Sequence, residues 1–117
     1  MTEYDVELFL NNFKLKMQFM GIFFLDDRLK NSKTLTILEI VPAKRKQILQ
    51  DLTVEDYSEG PIEEIVFMGS PLWIFGKTFK GYEIYIKISM GQPNSNTLCI
   101  SFHIAEFPMN YPFKQST

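Results

Sequence analysis

Two segments near the end of the chain carry polar side chains whose types and spacing suit acid–base chemistry. In the first, Tyr85 and Lys87 alternate with isoleucines, and in the second, Ser101 and His103 alternate with apolar residues. Because side chains alternate across a sheet, the polar members of each segment share one face. Antiparallel pairing with the apolar faces together places Tyr85 opposite or diagonal to Ser101 and His103. Lys87 then lies beside them, and the four side chains form one polar patch.

This patch has two interpretations. An antiparallel sheet normally has one face in water, and tyrosine, lysine and serine are ordinary residues there. The alternative is an active site, because His103 is the one histidine of the chain and an imidazole exchanges protons near neutral pH. The pattern alone leaves both open, including a purely structural His103.

Other residues suited to chemistry have weaker support. Lys44, Arg45 and Lys46 form a basic run that suits either a solvent-facing helix surface or a phosphate backbone. The acidic pairs Asp26–Asp27 and Glu63–Glu64 fit helix ends and turns better than metal sites. The single cysteine, Cys99, cannot form an internal disulfide, and the alternation places it on the outward face.

The elements that position the patch begin with a helical region. Apolar residues at three- and four-residue intervals predict a first helix, roughly residues 2–18. A short aromatic strand follows within residues 19–25. Asn31 or Ser32 is a candidate cap for a second helix, and Pro42 suits the first turn of a third that ends near Leu52.

The second half predicts a meander of strands. Residues 72–79 and 82–90 flank Lys80–Gly81, where the glycine allows a tight hairpin, and residues 97–105 predict one more strand paired with its predecessor. Residues 58–61 have the composition of a turn, and residues 107–113 contain two prolines but enough aromatic side chains to pack down. The expected fold class is α+β, with N-terminal helices packed on one face of a small antiparallel β-sheet and a C-terminal meander.

Composition limits the function classes. The 117 residues, 45% of them hydrophobic, suit one domain spanning 1–117. There is neither a secretory leader pattern nor a membrane-length apolar run, which predicts a cytoplasmic protein with no membrane partner. One cysteine and one histidine exclude disulfide scaffolds and structural zinc sites. The net charge of −2 means that nucleic-acid binding would need locally clustered basic residues.

Three collinear segments resemble a known family. They are Leu52–Tyr57 at the end of the helical region, Ile84–Ile88 after the hairpin glycine, and Leu98–Phe102 in the last strand. In order and spacing they resemble the MqsR toxins of bacterial toxin–antitoxin pairs, whose fold is related to that of the RelE-type ribonucleases. The match spans roughly residues 44–103, and before that it is only topological.

The resemblance implies a metal-independent endoribonuclease toxin, an mRNA interferase that uses no cofactor. In such chemistry the ribose 2′-hydroxyl attacks the adjacent phosphate, which needs a proton acceptor, a proton donor and positive charge. The family's strand tyrosine falls on Tyr85, and its basic residue after the Ser–Phe pair falls on His103. Lys87 with Lys77 would stabilise the phosphate charge. The expected RNA-binding residues are Ser101, Lys80, Lys44, Arg45 and Lys46.

The chain also departs from the family pattern. The lysine that ends the family's helical segment falls near Ser58 or Glu59, and the glutamine of its first hairpin strand has no match around residues 72–74. The partners that the resemblance implies are single-stranded or ribosome-bound mRNA and a cognate antitoxin, with DNA contacted only through that antitoxin. The alternative is a non-catalytic module that binds a protein with the open sheet face or edge.

Overall fold

The computed structural model describes residues 1–63 and 70–115. The helices in these ranges are α1 (Glu3–Met20), α2 (Leu29–Ile37) and α3 (Pro42–Gln50), with a 3₁₀ turn at Val54–Asp56. The strands are β1 (Ile22–Phe24), β2 (Tyr57–Ile62), β3 (Leu72–Phe79), β4 (Tyr82–Ser89) and β5 (Thr97–Ile104). They form one sheet in the order β1-β5-β4-β3-β2. The predicted α+β class, with helices on a small sheet, is confirmed.

Two details of the predicted sheet are wrong. The sheet is mixed, because β1 runs parallel to β5 while the other neighbours are antiparallel. Residues 58–61 belong to β2 instead of a turn, and β2 pairs with β3 through an irregular register. The irregularity explains the wrong prediction, since Gly60 and Pro61 are residues that regular strands disfavour. The sequence analysis also named the acidic pair Glu63–Glu64, and Glu64 lies outside the described residues.

Helix α1 covers the apolar face of the sheet, hereafter the core face. The helix begins with a capping box, in which the Thr2 side chain and the Asp5 carboxylate each accept from the other's backbone N–H. Its buried stripe is Val6, Phe9, Leu10, Phe13 and Met17, as the periodicity predicts. The Phe9 ring stacks on Trp73 with centroids 4.2 Å apart. Helix α1 is thereby fixed on strand β3.

The register of the two central strands matches the prediction. Tyr85 pairs with His103 and Lys87 pairs with Ser101, and the β3–β4 hairpin turns at Lys80 and Gly81 with φ of 52° and 82°. Positive φ at both positions is the requirement of a tight two-residue hairpin turn. The polar side chains therefore share the face opposite the core face, hereafter the polar face.

A β-bulge corrects the predicted position of Cys99. The register shifts after Lys87, so that Ile88 pairs with Cys99. The extra residue on β5 turns Cys99 toward the core face, where it is fully buried in the hydrophobic cluster. Burial raises the pKa of its thiol, with Arg45 opposing and Asp26 reinforcing that shift. The outward position of Cys99 that strict alternation predicts is therefore wrong.

Helix α2 takes the place of a strand along the free part of β5. The Asn31 side chain donates to Ile100 O at 3.0 Å and accepts from Phe102 N at 3.0 Å. Thr34 Oγ1 accepts from Ile104 N at 2.9 Å. Asn31 therefore lies inside α2 and satisfies sheet edge groups. The expectation that Asn31 or Ser32 caps the helix is wrong, because α2 begins at Leu29 and contains both residues.

The chain after β5 folds back across the polar face. In this C-terminal segment (Ala105–Lys114), Tyr111 Oη donates to Glu83 Oε2 at 2.7 Å, and Met109 N donates to Glu83 Oε1 at 3.2 Å. Gly76 makes room for Tyr111, because a Cβ there would lie 2.1 Å from the phenol oxygen. Phe113 continues to Tyr57, with ring centroids 5.5 Å apart. The predicted packing of this segment holds at Tyr111 and Phe113, whereas Phe107 is 80% exposed.

Candidate active site

A pocket of about 520 Å³ opens on the polar face, hereafter the polar-face pocket. Its floor comes from β3, β4 and β5, and its walls come from the loop that leads into α2, from the start of β2 and from residues 106–110 of the C-terminal segment. Tyr85, Lys87, Ser101 and His103 all line it. The structure therefore brings these four predicted site residues together.

His103 has one nitrogen fixed by the strand and the other available. Its Nδ1 lies 3.0 Å from the carbonyl oxygen of Ile104, and a carbonyl only accepts, so Nδ1 carries the proton of the neutral ring. Nε2 is then the acceptor. The side chain is 9% exposed, and its ring stacks on Tyr85 with centroids 5.2 Å apart. The arrangement is one that a general base requires, because the ring orientation is fixed and no hydrogen bond from the described residues occupies Nε2.

Tyr85 is held in its protonated form. Burial is the main cause of the raised pKa of its phenol, and the charge of Glu59 adds to the shift while that of Arg28 opposes it. The hydroxyl can therefore donate a hydrogen bond or a proton, but it is a poor base at neutral pH. Lys87 Nζ lies 5.8 Å from the centroid of the Tyr85 ring, which brings a positive charge to the same part of the floor.

Arg28 brings a second cation that the sequence interpretation missed. Its Nη1 donates to Ile100 O at 3.2 Å and to Ser101 Oγ at 3.5 Å. Ser101 is only 1% exposed, so its hydroxyl orients the guanidinium instead of offering an open RNA contact. A guanidinium has five donors, and a phosphate accepts two of them in parallel. Arg28 thus offers a guanidinium suited to a phosphate from the pocket wall.

The charge lining the polar-face pocket is mixed with a small positive excess. The cations are Arg28, Lys30 and Lys87, and the carboxylates are Glu59 and Glu106. Lys30 forms an ion pair with Glu106 across the rim, and this hydrogen bond is the main cause of the lowered pKa of Glu106. With Lys30 and Glu106 paired, the other charged side chains among the described lining residues are the cations Arg28 and Lys87 and the carboxylate of Glu59.

Lys77 does not reach the pocket. It pairs across the hairpin with Ile84, whose side chain is buried on the core face. Cross-strand partners point to the same face, so the Lys77 side chain projects from the core face and not from the polar face. Its Nζ lies 3.0 Å from Asp56 Oδ2. The structure therefore does not place Lys77 beside Lys87, because an ion pair with Asp56 holds it outside the pocket lining.

The other predicted RNA-binding cations also lie away from the pocket lining. Arg45 is buried, with its guanidinium 3.4 Å above the Phe24 ring and paired with both carboxylate oxygens of Asp26. Lys44 and Lys80 lie over the Phe79 ring, at 5.6 and 5.4 Å from its centroid. Lys80 also donates to a backbone carbonyl of the loop after α2. Lys46 is exposed on α3 and does not line the pocket.

The residues missed by sequence reasoning come from segments without strand periodicity. Arg28 and Lys30 lie at the start of α2, and residues 106–110 lie beyond the last strand. Ser58 and Glu59, where the resembling family has its lysine, do line the pocket. The sequence offered one indication of them: this chain lacks the family's helix-end lysine, so a cation from another segment was to be expected. Arg28 is a cation that the structure places in the pocket lining.

The described residues offer neither a metal site nor a membrane-spanning helix. Within 1–63 and 70–115, no group of three or more His, Cys, Asp or Glu side chains is arranged to hold a metal ion. In the same ranges, no helix is both long and apolar enough to cross a bilayer. Compared with known proteins, the chain matches no family model, no curated protein and no solved structure.

Proposed function

We propose that this protein is a metal-independent endoribonuclease that cuts mRNA through attack by the ribose 2′-hydroxyl. The observation that carries the proposal is the convergence of His103, Tyr85, Lys87 and Arg28 on one concave pocket. This chemistry needs an acceptor, a donor and positive charge within reach of one phosphate. The four side chains supply all three.

His103 is the proposed general base. With Nδ1 donating to Ile104 O, Nε2 takes the proton of the 2′-hydroxyl as the 2′-oxygen attacks the adjacent phosphorus. The new P–O2′ bond forms while the P–O5′ bond breaks, and the departing 5′-oxygen takes up one proton. The products are a 2′,3′-cyclic phosphate and a 5′-hydroxyl, so the step consumes neither water nor an oxidant.

Tyr85 and the two cations complete the proposed site. The phenol, kept protonated by burial, hydrogen-bonds the phosphate or donates to the 5′-oxygen. Arg28 and Lys87 stabilise the charge that grows on the phosphate oxygens in the transition state. Arg28 is bound at Ile100 O and Ser101 Oγ, so it needs little reorganisation when substrate arrives.

Single-stranded RNA is the proposed substrate form. A pocket of about 520 Å³ is in the size class that holds a nucleotide-sized ligand, and an unpaired strand can place its ribose and phosphate there while its bases splay outward. Whether the message is free or bound to the ribosome is tested by using both as substrates.

The proposed partner is a small antitoxin protein, and this part is supported by the family resemblance alone. A toxin halts growth when it is expressed by itself and is neutralised when its antitoxin is co-expressed. Inducible expression in a bacterium, with and without the neighbouring reading frame, therefore tests it. Normal growth in both cases, from protein shown to be folded, contradicts the toxin assignment.

The decisive experiment on the activity uses purified protein and end-labelled RNA. We expect cleavage of free or ribosome-bound message in excess EDTA, with cyclic or 3′-phosphate and 5′-hydroxyl ends. A 2′-O-methyl group at the cleaved nucleotide should abolish cutting there, because the nucleophile is blocked. Cleavage that requires magnesium, or that tolerates the 2′-O-methyl group, would overturn the mechanism.

The alternative of a non-catalytic protein-binding module predicts a different outcome. A folded protein that cuts neither RNA form, yet retains a partner from its host through the pocket face, supports that module. The variant Lys87→Glu, which reverses one charge of the pocket floor, is tested in both the cleavage assay and the partner-retention assay. The substitution should abolish RNA cleavage if the nuclease proposal holds, and partner retention if the alternative holds.

A further inference from the structure

Helix α1 carries a second apolar stripe that the fold does not bury. Tyr4, Leu8, Leu15 and Phe19 are 70%, 48%, 54% and 76% exposed. At about 100° per residue, these four positions fall within an arc of about 60°. The buried residues of α1 lie on the other side of the helix. A helix that is apolar on two sides has a second surface to cover.

The stripe is symmetric along the helix. Its spacings are four, seven and four residues, so the stripe has the same pattern from either end. When two copies of α1 run antiparallel about a two-fold axis, Tyr4 of one copy meets Phe19 of the other, and Leu8 meets Leu15. Such self-complementarity is the property that an isologous interface requires. A partner of different sequence would have no need of it.

Charge and polarity along α1 follow the same symmetry. The first half contains Glu3, Asp5 and Glu7 but no basic residue, and the second half contains Lys14 and Lys16 but no acidic residue. An antiparallel pair therefore places the acidic half of each helix beside the basic half of the other, whereas a parallel pair aligns the halves of like charge. Lys14 and Lys16 also donate to Leu52 O, Met90 O and Gln92 O of their own chain, so their charges act along the edges of the interface and the apolar stripe forms its centre.

The centre of the stripe, where the two-fold axis would pass, is polar. Asn11 and Asn12 are both exposed there. An asparagine amide both donates and accepts, so it can pair with its own copy across the axis. A polar residue within an apolar helix seam is a known device for fixing register.

We infer that α1 forms an antiparallel homodimer of this chain through Tyr4, Leu8, Leu15 and Phe19. The interface lies on the helical side of the sheet, since Phe9 of the same helix stacks on Trp73 at the core face. The polar-face pocket is on the opposite side and stays open in the dimer. Dimerisation and RNA cleavage are therefore independent, and the failure of one proposal leaves the other standing.

Sedimentation velocity of the purified full chain tests the dimer. We expect a mass of twice 13.7 kDa, with dissociation on dilution. Leu8→Glu or Leu15→Lys should each weaken dimerisation by about 100-fold, because each places a charge against an apolar side chain of the other copy. Ile37→Glu is the matched control, since Ile37 is a 62% exposed apolar residue on α2, and it should leave the dimer unchanged.

The combined variant Leu8→Glu/Leu15→Lys decides the orientation. In the antiparallel pair, position 8 of each copy faces position 15 of the other, so two ion pairs form and most of the dimer should return. Both positions are about half exposed, and circular dichroism should show unchanged folding. Wild-type protein that stays monomeric at about 100 µM, a dimer insensitive to Leu8→Glu, or a combined variant no better than the single ones overturns the proposal. A monomer that binds a different protein through this stripe overturns it equally.

Discussion

The two faces of the sheet are built from the same strands but differ in what specifies them. On the core face, Ile84, Ile86 and Ile88 are fully buried in the hydrophobic cluster that also contains residues of α1 and α3. A repeat of two residues is enough to place them. On the polar face, Tyr85 and His103 follow the same repeat. The walls around them, however, come from residues 28–30, 58–59 and 106–110. The core face is thus specified by a local sequence pattern, whereas the polar-face pocket also depends on contacts between segments that are distant in sequence.

This difference predicts that the two faces fail in different ways. Loss of a core side chain leaves a cavity and lowers the free energy of unfolding. Loss of a pocket side chain mainly removes an interaction with the transition state. Adjacent strand positions should therefore separate stability from activity, provided that the pocket is an active site.

The largest expected effect is the loss of RNA cleavage rate in the His103→Ala variant. Removal of a positioned general base should lower the single-turnover cleavage rate by roughly 10²–10⁴-fold. Because His103 is 9% exposed and stacks on Tyr85, a small stability loss of about 1 kcal/mol should accompany it. Thr78→Ala, an exposed β3 position outside the polar-face pocket, is the control and should cut at the wild-type rate. Equal rates for wild type and His103→Ala would make His103 a structural residue.

On the core face, Ile86→Ala should act on stability alone. Ile86 is fully buried and pairs with Phe75 and Phe102, so the free energy of unfolding should fall by about 2–5 kcal/mol. Urea unfolding measures this fall. At a temperature where the variant stays folded, its cleavage rate should match wild type within about threefold. A large rate loss in folded Ile86→Ala would show that the two faces are coupled.

The sequence predicted those features that depend on periodicity and turn chemistry. The hairpin at Lys80–Gly81 and the Tyr85–His103 register follow from them. The bulge that turns Cys99 inward does not, because one inserted residue leaves no mark in an alternating pattern. Arg28 lies at the start of α2, which the side chains of Asn31 and Thr34 attach to β5. These are side-chain contacts between segments that are distant in sequence. Such contacts have no local signal.

Arg28 tests the polar face at a residue that lies outside the alternating patterns of β4 and β5. Arg28→Lys keeps the charge but cannot hold Ile100 O, Ser101 Oγ and a phosphate at once. We expect about a tenfold lower cleavage rate, with little change in thermal unfolding. Lys33→Ala, an exposed cation on α2 outside the pocket lining, should cut normally. A wild-type cleavage rate in Arg28→Lys would show that positive charge is enough at this position and that guanidinium geometry is not needed.

The smallest expected effect concerns the C-terminal segment that closes the polar face. Tyr111→Phe removes the hydroxyl that donates to Glu83 at 2.7 Å while keeping the ring over Gly76, so the free energy of unfolding at pH 7 should fall by about 1 kcal/mol. Burial, followed by the hydrogen bond to Glu83, raises the pKa of the Tyr111 phenol well above its usual value.

The raised pKa of the Tyr111 phenol fixes the direction in which wild-type stability changes at alkaline pH. Above about pH 10 the unfolded phenol ionises while the folded one stays protonated, so wild type loses stability as pH rises further. Tyr111→Phe lacks this loss, and its deficit at pH 7 should shrink above pH 10. Tyr57 and Tyr85, whose pKa values burial also raises, are present in both proteins and cancel in the difference. Urea unfolding at pH 7 and near pH 11 measures it. Parallel stability curves across this range would mean that the phenol of Tyr111 is not held protonated, and that the C-terminal segment closes the polar face by packing alone.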